Sequence, residues 1–169
     1  MKRFHVHAVA ACVAMLAAVL TTMVPALVAT AAASTAWGPR AGVTIDPDQV
    51  HVGFHVDAGE LFPDGRFVPN IEVGFGDHVT VVAINPELIY RFPQAVERPW
   101  SFYVGGGLGI NWVNWDDDLV GHDGSDTDLG LNVLGGMRRR LSSGNSLFLE
   151  LKLGLADSPD AKFTVGLFL

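Results

Sequence analysis

The alternation of apolar and polar residues is the clearest pattern in the chain. In the run SLFLELKLGL, residues 146–155, leucine occupies every second position, and Glu150 and Lys152 stand between leucines. A β-strand directs successive side chains to opposite faces, so this run predicts a strand with one purely apolar face and one mostly polar face. Which of the two faces contacts water decides what kind of protein this is.

Eight such alternating stripes follow one another along the chain, and no helical period interrupts them. Connectors such as DPDQ, SSGN and ADSPD are rich in turn-forming residues, which suits antiparallel neighbours in an up-and-down meander. An even number of antiparallel strands can close on itself and leave no open edge. We therefore predict an all-β, eight-stranded antiparallel barrel. The stripes span residues 38–45, 50–57, 67–75, 80–92, 100–112, 128–140, 146–155 and 161–169.

Charged residues lie on only one face of these stripes. The apolar faces carry no charge except Arg139, where the sixth stripe ends. The polar faces carry six basic and five acidic residues, whose charges nearly cancel. A closed interior needs such a balance, because a buried charge has to be paired or hydrogen-bonded. We therefore expect the polar faces to line the lumen. Asp128 is one of the eleven charged residues on these faces. The expected lumenal charge network consists of Arg40, Asp57, Glu72, Glu87, Arg91, Arg138, Arg140, Glu150, Lys152 and Lys162.

Glycine and aromatic residues favour the same assignment. Gly105, Gly107 and Gly109 share one polar face, and small residues fit the crowded lumen of an eight-stranded barrel. Aromatic residues gather towards the ends of the stripes, as in the interfacial girdles of membrane barrels. The apolar faces are therefore predicted to face lipid. The alternative is a soluble periplasmic, lipocalin-like barrel that keeps its apolar faces inside, around an apolar ligand.

The first 36 residues have the layout of a secretory signal peptide. Lys2 and Arg3 precede a long apolar run, and small residues with A-x-A spacing follow it. Cleavage after Ala33 or Ala36 would leave one domain, residues 37–169. An uncleaved anchor helix is the alternative, because the apolar run is long enough to span a bilayer.

Export would change the charge and the cysteine content of the chain. Removing Lys2 and Arg3 leaves nine of the 11 Lys and Arg residues against 18 Asp and Glu residues, a formal charge of −9. That charge argues against nucleic acid or an anionic surface as a partner. Cys12 is the only cysteine and lies in the predicted signal peptide, so the exported domain depends on a core or on sheet closure rather than on a disulfide.

The part of the chain from Trp37 to Leu169 resembles the small outer-membrane β-barrel proteins, the outer-membrane protein A and X type of eight-stranded barrel. The residues that carry the resemblance are RPWSFYVGGGLGINW, the alternating last stripe KFTVGLFL and the signal peptide. The resemblance implies a transmembrane barrel in the outer membrane of a Gram-negative-type bacterium, in contact with lipid and lipopolysaccharide. It also implies folding by the barrel-assembly machinery. A closed barrel of this size needs no partner to fold, so we expect a monomer.

Three features depart from the pattern of that family. Its members usually end in phenylalanine, whereas here Leu169 follows Phe168. Pro86 interrupts the fourth stripe, and because proline removes a ladder donor we predict a bulge there. Only one long loop is expected, at residues 113–128, and the resemblance implies that this loop is extracellular.

Six aspartates and His122 crowd that loop. Hard oxygen ligands in a flexible loop could bind calcium, and Asp116, Asp118, Asp123 and Asp126 are the candidate ligands. The alternative is a solvated acidic loop that holds no metal.

Two histidines, His51 and His55, share one strand face. Four residues of extended chain put them about 13 Å apart, which is too far for one metal ion. His55 could pair with Asp57, or both histidines could belong to a polar network in the lumen. Neither interpretation leads to catalysis.

The chain shows no constellation typical of an enzyme or of a cofactor site. An enzyme that modifies lipid at the barrel rim would need a nucleophile beside a base, and Ser125 near His122 is the nearest match. There is no phosphate loop, zinc spacing or nucleotide fingerprint. We therefore expect a non-enzymatic barrel without a cofactor, with a filled lumen and a structural or surface-interaction role. The rim-site enzyme is the second alternative.

Overall fold

The computed structural model describes residues 36–77, 79–93, 99–115, 124–156 and 158–169. All regular structure within these ranges is β-strand. None of the described residues belongs to a helix long and apolar enough to cross a membrane. The predicted signal peptide lies outside the described ranges except for Ala36, which is the first residue of the first strand.

Eleven strands form one antiparallel sheet. In chain order they are β1 (Ala36–Ile45), β2 (Gln49–Asp57), β3 (Glu60–Phe62), β4 (Gly65–Phe67), β5 (Asn70–Gly76), β6 (Val79–Asn85), β7 (Glu87–Arg91), β8 (Trp100–Trp115), β9 (Gly124–Arg140), β10 (Ser146–Ala156) and β11 (Ala161–Phe168).

The sheet closes into a barrel of eight barrel strands. Going round the barrel, the order is β1, β2, β5, β6, β8, β9, β10 and β11, and β11 pairs with β1. The three remaining short strands prolong members of this ring, because β3 continues β2, β4 precedes β5 and β7 follows β6. The predicted all-β, eight-stranded antiparallel barrel is therefore confirmed.

The polarity of the barrel is that of a membrane protein. On β10, Leu149 and Leu153 point outwards and are 41% and 43% exposed, whereas the alternating Glu150 and Lys152 point inwards and are 6% and 2% exposed. The other barrel strands repeat this arrangement, with large apolar side chains outside and charged ones inside. The apolar surface needs lipid to cover it. The lipocalin-like alternative is therefore wrong, because its apolar faces would have to be inside.

Pro86 separates β6 from β7 without shifting the register. Ile84 faces Ile110 before the proline, and Glu87 faces Gly107 after it, so no extra residue is accommodated. The predicted bulge is therefore wrong. The carbonyl of Pro86 still accepts a hydrogen bond of 3.3 Å from β8, so the ladder loses one donor but keeps its spacing.

The connection between β8 and β9 is shorter than predicted. Trp115 and Gly124 still face each other in the ladder, so the expected loop at 113–128 is wrong at both ends. The polar residues there continue the two strands beyond the point where the apolar alternation stops. Residues 116–123, which lie between the strands, are outside the described ranges.

A hairpin formed by β3 and β4 has no counterpart among the predicted stripes. Its turn contains Asp64 in the left-handed region, at φ 63°, followed by Gly65. Such Pro-Asp-Gly sequences favour tight turns. The hairpin lies at the end of the barrel where β1 begins and β11 ends, which we call the termini end; the opposite end is the loop end.

An apolar core fills the lumen near the termini end. Phe148 and Phe168 pack with their ring centroids 5.3 Å apart, and Ala36 packs against this group. The ladder pairs Ala36 with Asp57, so Ala36 belongs to the folded barrel. The full core consists of Val68, Ile89, Tyr103, Leu134, Phe148 and Phe168.

Candidate functional site

Six buried charged side chains meet in the middle of the lumen, and we call them the central charge cluster. Three are basic and three are acidic, so the cluster is neutral as a whole. The alternation of β1, β5, β10 and β11 directs five of these side chains inwards, and β7 supplies the sixth. Its members are Arg40, Lys152, Lys162, Glu72, Glu87 and Glu150.

Glu72 is the hub of the central charge cluster. One of its carboxylate oxygens lies 3.1 Å from Nε of Arg40 and 3.9 Å from Nζ of Lys152. The other accepts a hydrogen bond of 2.8 Å from Nζ of Lys162. With 1% exposure, Glu72 relies on these three cations instead of water.

Each of the other two carboxylates has two polar partners. Glu150 accepts hydrogen bonds from Nη2 of Arg40 at 2.6 Å and from the hydroxyl of Tyr103 at 2.9 Å. Glu87 forms an ion pair with Lys152 and accepts a hydrogen bond of 2.8 Å from the amide of Asn70. The alternation along the strands indicates the charged residues of the cluster, whereas the polar side chain of Asn70 gives no signal of its own.

Glycine leaves the space that these acids occupy. A Cβ atom at Gly107 would lie 2.8 Å from Cγ of Glu87, and one at Gly53 would lie 3.0 Å from Cγ of Glu72. Both distances are too short for ordinary contacts, so the small residues predicted for the lumen have a direct steric reason.

The two lumenal histidines have different surroundings. The ring nitrogens of His51 lie 3.0 Å and 3.1 Å from the hydroxyls of Thr44 and Thr164, as expected of a polar network. His55 is 1% exposed, and neither ring nitrogen has a hydrogen-bond partner. It packs edge-on against the rings of Phe148 and Phe168, so the pairing with Asp57 that the sequence suggested is wrong.

Asp57 instead belongs to a second group at the termini end, the rim cluster, which consists of Asp57, Arg66, Arg91 and Arg138. Nε of Arg66 donates to both carboxylate oxygens of Asp57 at 2.7 Å. Arg91 and Arg138 are half-buried beside this pair. Arg66 was missed because it lies in the hairpin between two predicted stripes.

Arg140 does not join either cluster. Its parity on the strand directs it inwards, but it is the last residue of β9, is exposed and forms no ion pair with another described residue. Its assignment to the lumenal network is therefore wrong, because the strand leaves the lumen before Arg140 is reached.

The calcium candidates are not brought together within the described part of the chain. Asp116, Asp118 and Asp123 fall outside it, as does His122. Asp126 is exposed on β9, and its carboxylate accepts a hydrogen bond from the backbone N–H of Thr127. The described residues contain no group of three acidic, histidine or cysteine side chains placed to hold a metal ion.

The space between the two clusters is narrow. A cavity of about 20 Å³ lies between the central charge cluster and the rim cluster, bordered by His55, Tyr103 and Arg138 among others. A cavity of that volume has room for about one water molecule.

Solved structures with the same fold include membrane barrels. Neisserial surface protein A (NspA) matches with a TM-score of 0.60 and 16% identity over 80% of this chain and 94% of its own. The N-terminal β-barrel domain of Pseudomonas aeruginosa OprF matches with a TM-score of 0.57 and 15% identity over 79% of this chain and 96% of its own. The outer membrane enzyme PagL is less similar, with a TM-score of 0.46 and 12% identity over 80% of this chain and 99% of its own.

No family model matches the chain, and no curated protein matches it. The similarity to the solved structures shows that the chain has the fold of the small eight-stranded outer-membrane β-barrels. The resemblance in its sequence is thus confirmed at the level of fold. A fold of this kind does not decide activity, which has to be argued from the residues.

Proposed function

We propose that the chain is a non-enzymatic barrel of the outer membrane, with a closed lumen and a structural or surface-interaction role. The observation that carries the proposal is the neutral central charge cluster. Its six side chains are joined by ion pairs in the middle of the lumen, and this supports a closed lumen. Solutes larger than water or small ions would have to break these ion pairs to pass.

The outer surface supports residence in the outer membrane. Its large apolar side chains form a continuous covering that only lipid can satisfy, and a closed sheet has no edge that lipid would leave unpaired. A signal peptide within residues 1–36, cleaved after Ala33 or Ala36, would export the barrel. Membrane lipid, and lipopolysaccharide on the outer side, are therefore its proposed surroundings. We propose a monomer that the barrel-assembly machinery inserts and that carries no cofactor.

Most of the described polar groups in the lumen are held by other side chains and are not free to take part in a reaction. The carboxylates of the central charge cluster are held by cations, and His51 is held by two hydroxyls. His55 lies between two rings and has no nucleophile beside it. The proposed contact with the outside is the acidic connection between β8 and β9, where the calcium hypothesis also belongs.

Conductance tests the closed lumen most simply. Liposomes that contain the purified barrel should not swell in arabinose or glucose faster than protein-free liposomes. The double variant Lys152→Ala/Glu87→Ala removes one cation and one acid, so the cluster stays neutral while a gap opens. We expect this variant to raise ion conductance in planar bilayers. Rapid sugar uptake by the wild-type barrel would refute the proposal.

Catalysis is tested separately. The purified barrel is incubated with lipopolysaccharide, and the lipid is analysed by mass spectrometry. We expect its acyl chains to be unchanged. Loss or gain of an acyl chain that disappears in the Ser125→Ala variant would support the rim-site enzyme instead.

A further inference from the structure

The rim cluster has more positive charge than its partners neutralise. Asp57 is bound by Arg66, whereas Arg91 and Arg138 form no ion pair with another described residue. Arg91 and Arg138 border the same small cavity, so these two like charges lie near each other and repel. Among the described residues, two positive charges of the rim cluster therefore remain uncompensated.

The other described acidic side chains near this end do not remove the surplus. Glu60 and Asp64 are both exposed on the β3–β4 hairpin and form no ion pair among the described residues. Water screens exposed charges of this kind strongly.

The surroundings of the arginines strengthen this surplus. Cζ of Arg138 lies 4.1 Å from the ring centroid of Phe168, and Val68 and Ile89 belong to the apolar core beneath. Charges over an apolar wall act in a lower dielectric than charges in water, so they attract an anion more strongly.

Within the described ranges, such a surplus is found at this end alone. The central charge cluster balances three cations with three acids. At the loop end every described charged residue is an aspartate. In a chain with a formal charge of −7, a local excess of arginine does not follow from composition. The described aspartates of the loop end are Asp46, Asp48, Asp77, Asp126, Asp128 and Asp160.

We propose that the rim cluster binds a phosphate group, which is held between Arg91 and Arg138 at the mouth of the termini end. The planar forks of two guanidinium groups suit the several acceptor oxygens of a phosphate, which arginine binds through paired hydrogen bonds. The cavity of about 20 Å³ beneath is too small for the phosphate, so the group sits above it.

Two sources could supply the phosphate, an anionic phospholipid headgroup or free inorganic phosphate. The lipid is close at hand, because Arg139, the next residue along β9, is exposed with its Cζ 5.8 Å from the ring centroid of Trp100. Tryptophan and arginine in this arrangement are typical of the interface between lipid and water.

The test uses the full mature chain, folded in a neutral detergent. Isothermal titration measures the binding of dihexanoyl phosphatidylglycerol and, separately, of inorganic phosphate. We expect saturable binding that the double variant Arg91→Gln/Arg138→Gln weakens at least about tenfold, since each lost charged hydrogen bond is worth roughly a factor of ten or more. The matched control is Arg139→Gln/Arg140→Gln, which removes the same charge from exposed positions. This control should change the affinity less than about threefold.

The pattern of binding identifies the source of the phosphate. Binding of both probes with the same dependence on Arg91 and Arg138 supports a site for the phosphate group itself. Binding of the lipid alone, with that dependence, supports the site and assigns it to headgroups. If neither probe binds, the proposal is overturned. An equal loss of affinity in both double variants would also overturn it.

Stability provides a second readout. Removing Arg91 relieves repulsion, so Arg91→Gln should fold and keep its mobility shift on unheated gels. Bound phosphate should raise the unfolding midpoint of the wild type but not that of Arg91→Gln. The same rise in both proteins would contradict the assignment.

Discussion

Removal of the charge on Glu72 should destabilise the barrel more than any other single isosteric change in the lumen. Glu72→Gln keeps the volume but leaves Arg40, Lys152 and Lys162 with only two carboxylates. Glu72 is 1% exposed, and its oxygens lie 2.8 Å, 3.1 Å and 3.9 Å from the three cations. Breaking a buried ion pair by removing one partner costs about 3–5 kcal/mol. We expect the free energy of unfolding to fall by that amount.

The assay is urea unfolding of the barrel in detergent micelles, followed by tryptophan fluorescence and by mobility on unheated gels. The matched control is Glu60→Gln on the exposed β3 strand, which should change the free energy of unfolding by less than about 0.5 kcal/mol. A second control restores neutrality. Glu72→Gln/Lys162→Met leaves two cations and two acids, so it should be more stable than Glu72→Gln alone, with a coupling of about 1–3 kcal/mol.

Two results would refute this reasoning. If Glu72→Gln is as stable as the wild type, water or a protein movement compensates the charges. If the neutral double variant is less stable than Glu72→Gln, the charge balance is not what stabilises the lumen.

Three further predictions follow from the faces of the strands and from the first strand. Leu149→Arg places a charge on the lipid face and should lower the free energy of unfolding of the barrel in vesicles by about 2–4 kcal/mol. The control Leu149→Ala should still fold. Urea titration in vesicles compares the two variants. In Gly135→Ala the new Cβ meets no atom closer than 3.9 Å, so this variant should be tolerated. In Gly136→Ala the new Cβ lies 2.6 Å from the carbonyl oxygen of Leu149 and against the Tyr103 ring. Thermal unfolding should therefore show a lower midpoint for Gly136→Ala only. Mass spectrometry of the exported protein should give Ser34 as its first residue, because cleavage after Ala36 would remove a residue that pairs in β1 and packs on the lumenal core.

The alternating stripes predicted the barrel strands because side-chain alternation follows directly from strand geometry. Stripes such as 50–57 and 161–169 match β2 and β11 within one residue at each end. The strands were harder to delimit where polarity replaces alternation, as at the start of β9. The three-residue strands β3 and β4 are too short to show any period.

The composition of the lumen could be predicted, but its pairing could not. Parity along each strand identified the buried charges, including Glu72 and Lys152, from the sequence alone. Which acid meets which cation depends on the stagger between neighbouring strands and on contacts across the lumen, and alternation within one strand contains neither. The same limit explains why Asp57 was expected beside His55 and instead binds Arg66.

The central claim is that the apolar faces contact lipid and the charged faces do not. Cys12 is the only cysteine and lies in the predicted signal peptide, so single cysteines can be introduced into a mature chain that has none. Nitroxide labels at Leu149→Cys and at Ser143→Cys, in the exposed turn between β9 and β10, are compared by electron paramagnetic resonance in vesicles. We expect the label at 149 to be relaxed by oxygen dissolved in lipid and not by a water-soluble nickel chelate. We expect the label at 143 to be relaxed by the nickel chelate and not by oxygen. Strong relaxation of the label at 149 by the nickel chelate would contradict it.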